Sequence, residues 1–494
     1  MHIFNRLLVR KSHLSILFLS FFLGLALFCT SPTTSLAAPI DQAIVDQLGQ
    51  FLNSREFKFN GAPAQLKVEQ TLLDASGENL ILRNLTIVVN GQTDLKIGEI
   101  TVVVTKELVL ALTAHVVPSG ELVLPKLICR DILAKGSEKE QAQIGEIAII
   151  DAAMSGSLFG DLVAGKNVTP QIVVENTRVK SVTITNLAAK DKQGKDGFSW
   201  GQFGIYDFKD GALGKISLEQ LVVNDDFQAS VGQITFENMN MPAPEWQKVL
   251  ADQKALEEHL AKDGFLTLGR ALFFQPKPIF EKISVDKLNL TISGIPVQVS
   301  TVGIGVTNQS IMTLWVNGVS CAALEGLGIK LPFPLQADLS LGANYMLNKP
   351  CSRLNFTLNK LADLNITFSS NLKTMKLSDL AITLEDKGAL AWGIFNVGVI
   401  DALEKELPKE AKDMTLKFGP DPINQKIVEN IVAFIENPGK LKVLSRHGVE
   451  LGLDDLELLL ENPAAFVSVG VEPGVVPLRA QVKACSEQWM KQAK

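Results

Sequence analysis

The sequence predicts a mainly β protein with helices (α+β). It reads as elongated, curled antiparallel sheets in two β regions separated by a helix, with a helical C-terminal region. Three observations carry this. Residues 95–104 (LKIGEITVVV) and 142–151 (AQIGEIAIID) share the tetrad IGEI, and looser copies stand at 213–216 (LGKI) and 231–234 (VGQI). Each copy is an aliphatic, β-branched run broken by one glycine. Several follow an earlier run, such as 80–89 or 179–187, across a polar stretch, which is the signature of a hairpin unit used repeatedly. Finally, helical spacing replaces strand alternation once in the middle of the chain and again near its end.

Taken in order, the chain opens with Arg6, Arg10 and Lys11 ahead of an uncharged apolar run from Leu14 to Cys29, then Ser35-Leu36-Ala37. This small-x-small pattern predicts a secretory signal peptide over 1–37. The alternative is an uncleaved anchor, because the run is just short of the roughly 17 residues that span a bilayer. Phe28 before Cys29 disfavours lipoprotein processing. Losing three basic residues and no acid moves the net charge from −6 to −9. An acidic chain without basic clusters excludes nucleic acid as the expected partner and argues against electrostatic adhesion to anionic lipid. Later segments contain no uninterrupted apolar stretch of membrane-helix length. With two tyrosines and five tryptophans the chain also lacks the aromatic girdles of an outer-membrane barrel.

Residues 38–241 form the first β region behind an N-terminal helix, in which Ile40, Ala43, Ile44, Leu48, Phe51 and Leu52 recur at helical spacing. Some of its strands alternate, as Ile216 and Leu218 do against Ser217 and Glu219. Others (ITVVV, IAII) are apolar on both faces. The glycine inside each tetrad predicts a bulge or a close backbone approach that lets the sheet curl. Residues 242–276 read as a dividing amphipathic helix opened by Pro242 and Pro244, carrying Trp246, Val249, Leu250, Leu256 and Leu260. The second β region covers 277–392. Its alternation slips by one residue at Asp286 and Lys287, between the pair Ile283 and Val285 and the set Leu288, Leu290 and Ile292. At least four more alternating runs occupy 337–385. Residues 393–494 are mainly helical, with Pro438 and Gly439 closing one helix.

Candidates for chemistry are few. Residues 160–167 (GDLVAGKN) carry the glycines and Lys166 of a phosphate loop, but Asn167 stands where a Ser or Thr must reach magnesium. A glycine-rich turn is the better reading, and no nucleotide is expected. Ser157 in GSLFG lacks the upstream glycine of a nucleophile elbow. His115, His259 and His447 are scattered, and His259 has no second histidine at zinc-protease spacing, so neither a metal nor another cofactor is expected. Asp225 and Asp226 are adjacent and read as turn residues. The six Asn-x-Ser/Thr triplets, several inside strands such as LNFTL and LNITF, are the polar half of the alternation. Of the cysteines beyond the signal, Cys321 and Cys351 flank a strand-like stretch. They are the favoured disulfide, worth about 3–4 kcal/mol by loop closure. The alternative is that all four are buried thiols.

Aliphatic strand pairs of the NLTI and IGEI kind, behind a signal and interrupted by amphipathic helices, resemble the AsmA-like group of bacterial envelope proteins, which includes YdgA-type periplasmic proteins. The resemblance covers roughly residues 80 to 390. It implies a location in the periplasm or cell envelope, and an elongated, curled sheet whose apolar face holds or passes lipid. The candidate lining residues are Ile100, Val102, Val104, Ile147 and Ile149, with an ordinary packed core as the competing assignment. Three functions follow: an exported, non-enzymatic lipid-binding protein; an interaction component of the envelope with a closed core; and a hydrolase whose site only the fold assembles.

Overall fold

The structure, a computed structural model, describes residues 42–54, 56–59, 62–89, 92–103, 120–135, 141–163, 168, 170–190, 194–224, 228–240, 280–292, 295–307, 311–321, 333, 335–344, 351–371, 376–452, 455 and 461–492. The expected signal, the dividing helix, Val104, His115, His259 and the Asp225–Asp226 pair lie outside them. The fold is mainly β and antiparallel, with a helical C-terminal region. It divides into two compact units: residues 1–227 with 235–241, and residues 228–234 with 242–494.

The first unit begins with α1 (Gln42–Ser54), which buries Val45 and Leu52. It is followed by short strands β1 (Glu56–Phe59), β2 (Ala62–Lys67) and β3 (Gln70–Leu73). Two amides fasten α1 to the chain around β3 by using both of their ends. Asn53 donates to the Val68 carbonyl at 3.0 Å and accepts from the Val68 N–H at 2.6 Å. Gln42 does the same to the Thr71 carbonyl and the Leu73 N–H, each at 3.1 Å. Main-chain groups at the sheet edge are thereby satisfied without another strand. A meander of long strands follows: β4 (Asn79–Val89), β5 (Gln92–Val103), β6 (Glu121–Lys135), β7 (Gln141–Ser155), β8 (Thr177–Lys190), β9 (Asp196–Lys209) and β10 (Ala212–Asn224). Each pairs with the next. Helices α2 (Gly156–Val163) and α3 (Pro170–Glu175) bridge β7 and β8.

The repeated tetrad acquires its meaning here. Ile97 and Ile100 lie three residues apart, yet both point into the core, and Ile144 with Ile147 does likewise. The intervening glycine faces a residue in the left-handed region on the next strand, Asp131 (φ 53°) opposite Gly98 and Asn186 (φ 53°) opposite Gly145. A Cβ on Gly98 would lie 2.9 Å from that of Asp131, and one on Gly145 would lie 3.1 Å from that of Asn186. Aspartate and asparagine tolerate positive φ better than most residues, and glycine tolerates the approach. Every strand takes the extra step at the same height, so register is kept on both sides. Arg83 pairs with Glu99 and Leu85 with Ile97, Glu99 with Arg130, and Ile97 with Ile132. The expected close approach is therefore present, with no extra residue in either strand at this step. The glutamate of the tetrad faces outward and forms a ladder in which Glu99 meets Arg83 at 3.4 Å and Arg130 at 3.2 Å, and Arg130 meets Glu146 at 3.0 Å.

In the second unit the sheet runs β12 (Lys282–Ile292), β13 (Ile295–Thr307), β14 (Ile311–Cys321), β15 (Gln336–Asn344), β16 (Cys351–Leu358), β17 (Ala362–Asn371) and β18 (Lys376–Asp386), again each paired with the next. Strand β11 (Gln228–Asn240) is divided between the two units. The expected slip in β12 is real. Lys287 has φ 52°, and the register with β13 is the same before and after it.

The C-terminal region is helical, as expected, and also carries two short strands. Its helices α4 (Ala389–Val397), α5 (Ile400–Phe418), α6 (Pro422–Glu436), α7 (Pro463–Phe466) and α8 (Leu478–Gln492) are accompanied by two strands, β19 (Lys440–Ser445) and β20 (Val467–Glu472), which extend the sheet from β18. Six-residue strands carry little periodicity of their own, and their conformation is imposed by pairing with a neighbour. Trp392, Ile394, Leu478 and Val482 pack the α4 and α8 helices into a second core.

The Cys321–Cys351 disulfide is corrected. Cys351 is an exposed free thiol. The register places it at the Ile311 end of β14, whereas Cys321 closes the opposite end. Ten residue steps along a strand amount to about 33 Å, far beyond the roughly 7 Å limit between bridged Cα atoms.

Candidate apolar-ligand site

The expected lining residues are placed inside the first unit. Ile100 is 1% exposed, Val102 5% and Ile149 2%, and Ile147 packs against the same cluster. They sit in continuous cross-strand rows, one running from Leu80 through Val102, Leu127 and Ile149 to Ile205 and Ile216. Leu158 and Phe159 of α2 are buried beside β6 and β7. Ile100, Val102 and Ile149 are buried in a packed core, the competing assignment for these residues. Burial weakens along the row: Leu127 and Ile149 are buried, whereas Val182, Ile205 and Ile216 are only half-buried.

The open apolar surface lies elsewhere. In the second unit one row runs across nine strands from Val285 through Val316, Phe356 and Leu384 to Val471. A second runs beside it from Ile283 through Leu314, Leu341 and Ile382 to Val469. No residue of either row is fully buried, and Leu314 and Leu341 are each 38% exposed. Eight interstrand gaps make this strip about 38 Å long. At its far end described helices meet these strands, α6 against β19 and β20 and α7 against β20.

The reverse face is polar. Asn355 donates to Ser340 Oγ at 3.0 Å and Asn365 donates to Asn355 Oδ1, so the Asn-x-Ser/Thr triplets supply a cross-strand ladder. Trp315 on that face lies against Gly303 and Gly305, with its indole N–H donating to Thr301 Oγ1 at 3.4 Å. All charge in these strands is kept off the apolar rows.

Among the described residues, groups suited to catalysis do not converge. His447 is exposed in the turn after β19, Ser157 lies in the first turn of α2, and Gly160 falls within the same helix, so the phosphate-loop look-alike begins as helix and not as a turn. Burial pushes the thiol of Cys129 up to about 12 and that of Cys485 up to about 11, which keeps both protonated and weakly nucleophilic at neutral pH. Burial also raises Asp386, whose carboxylate accepts from the Gly388 and Leu390 N–H groups and so caps α4. Among the described residues no group of three or more metal-ligating side chains is gathered, and no helix is long and apolar enough to cross a membrane.

The sequence reading missed the face of β12–β18. Its strands alternate, apart from the slip in β12, which predicts one apolar face but not what covers it. The chain matches no protein-family model, no curated protein and no solved structure.

Proposed function

We propose that the protein is an exported, non-enzymatic component of the bacterial envelope that holds lipid or another apolar ligand against the apolar face of its sheet. The observation that supports this is the pair of incompletely covered aliphatic rows across β12–β20. A strip of this length exceeds one extended acyl chain, and it carries no charge that would have to be desolvated. The mechanism is partition. At about 25 cal/mol per Å² of apolar area, covering one acyl chain is favourable by several kcal/mol without any specific polar contact. The signal-like N-terminus and the resemblance to AsmA-like proteins supply the compartment. The packed interior around Ile100 and Ile149 favours the alternative of a closed structural body for that part of the first unit, whose rows are only half-buried farther on, at Val182, Trp200, Ile205 and Ile216.

The test is organic extraction and mass spectrometry of protein purified gently from its native envelope, alongside the Leu314→Glu/Leu341→Glu variant. Near-stoichiometric lipid in the parent and at least about tenfold less in the variant is the expected result. Lipid-free parent protein, or equal lipid in both, overturns the reading.

A further inference from the structure

We infer that Trp200 is a polar anchor for such a ligand, its indole N–H donating to the carbonyl oxygen of an acyl ester or amide held on the apolar face of the first unit. The inference rests on the proposed function and adds a position and a chemical class.

Trp200 stands on β9 at the end of the row Leu85, Ile97, Ile132, Ile144 and Leu187. All five of those are buried, whereas Trp200 is half-buried, so it marks the place where the closed interior begins to open. The step at Gly201 brings Phe203 onto the same face. Phe198 and Phe203 flank the indole with ring centroids at 5.7 Å and 6.4 Å. In this aromatic setting Trp200 Nε1 is buried and has no acceptor among the described residues. Tryptophan N–H groups usually find a partner when buried, and one left without is destabilising. Trp315, by contrast, reaches Thr301. A trapped water is a poor answer, because it needs two to four polar partners and this patch of Leu187, Phe198, Trp200 and Phe203 side chains offers a single donor. An apolar molecule carrying one carbonyl fits both demands: hydrocarbon against the rings, and an acceptor for the N–H.

The experiment displaces the fluorescent probe N-phenyl-1-naphthylamine from the full-length chain with methyl palmitate and with hexadecane. It compares the parent with Trp200→Phe, which keeps a ring and removes the donor. One net hydrogen bond predicts that the parent prefers the ester by about five- to tenfold. The variant loses that preference while its affinity for hexadecane stays within about twofold. A second readout needs no variant to bind: the Trp200 indole N–H resonance of the ¹⁵N-labelled parent moves downfield with the ester and not with the alkane. Equal binding of both ligands by the parent, a retained preference in the variant, or an unmoved resonance overturns the anchor and leaves the partition reading standing. If neither ligand displaces the probe, both fall together.

Discussion

At Gly98 and Gly145 a single missing methyl group lets two strands change step together. Gly98→Ala puts a Cβ against that of Asp131, with backbone close behind, so the strain has little room to relax. A destabilisation of about 1–3 kcal/mol is expected in urea unfolding. Gly470→Ala, where a Cβ meets nothing within 4 Å, is the control and stays near neutral. Asp74 is a second residue with a measurable signature. It organises the β3–β4 turn by accepting from the side chain and N–H of Asn79, from Ser76 Oγ and from the Glu78 N–H, which lowers its carboxyl to about 2. A depressed carboxylate contributes stability above its unfolded value of about 4 and loses it as pH falls through the folded one. Asp74→Asn therefore flattens the decline in stability between about pH 4 and pH 2, read by thermal unfolding across that range.

Elements show where sequence is sufficient and where it is not. The helix at Gln42–Ser54, the paired strands of the tetrads and the slip at Lys287 were legible because each repeats an apolar period over ten or more residues or breaks it at a defined point. Strands β19 and β20 were not, since six residues alternating beside long helices gain their identity from β18. The helix at Gly156–Val163 was masked by its two glycines. What secures it is long-range, namely Leu158 and Phe159 seated in the core. The helical region also contains one buried polar clamp that spacing alone does not reveal. Asn424, 1% exposed, donates to the Phe418 carbonyl at 2.5 Å and to Asn462 Oδ1 at 3.3 Å, and accepts from the Ala464 N–H at 2.9 Å. It joins the end of α5, the start of α6 and α7. Asn424→Ala leaves the buried Ala464 N–H and the half-buried Phe418 carbonyl without this partner, so a loss of about 1–3 kcal/mol is expected in chemical denaturation.

On the scale of the molecule, the two units treat the same sheet chemistry in opposite ways. The first packs its aliphatic rows into a core over β4–β7 and the second leaves its rows part-solvated throughout, which no property of the strands themselves announces. The difference predicts a contrast in urea unfolding. Ile149→Glu, burying an unpaired charge, costs more than about 3 kcal/mol, whereas Leu314→Glu, at a site already meeting water, costs less than about 1 kcal/mol. This asymmetry is not legible in the sequence, which shows apolar strand faces without showing what covers them. Two-faced apolar runs attract notice, yet Ile100, Val102 and Ile149 within them are buried in the core.

The aligned steps across β4 to β10 carry a further consequence. Because each hairpin brings its own glycine and its own left-handed partner at a common height, one hairpin is geometrically interchangeable with another. Duplication or loss of a whole hairpin therefore lengthens or shortens such a protein without disturbing its neighbours. Inserting one amino acid into a single strand, by contrast, sends half of that strand's aliphatic side chains to the wrong side.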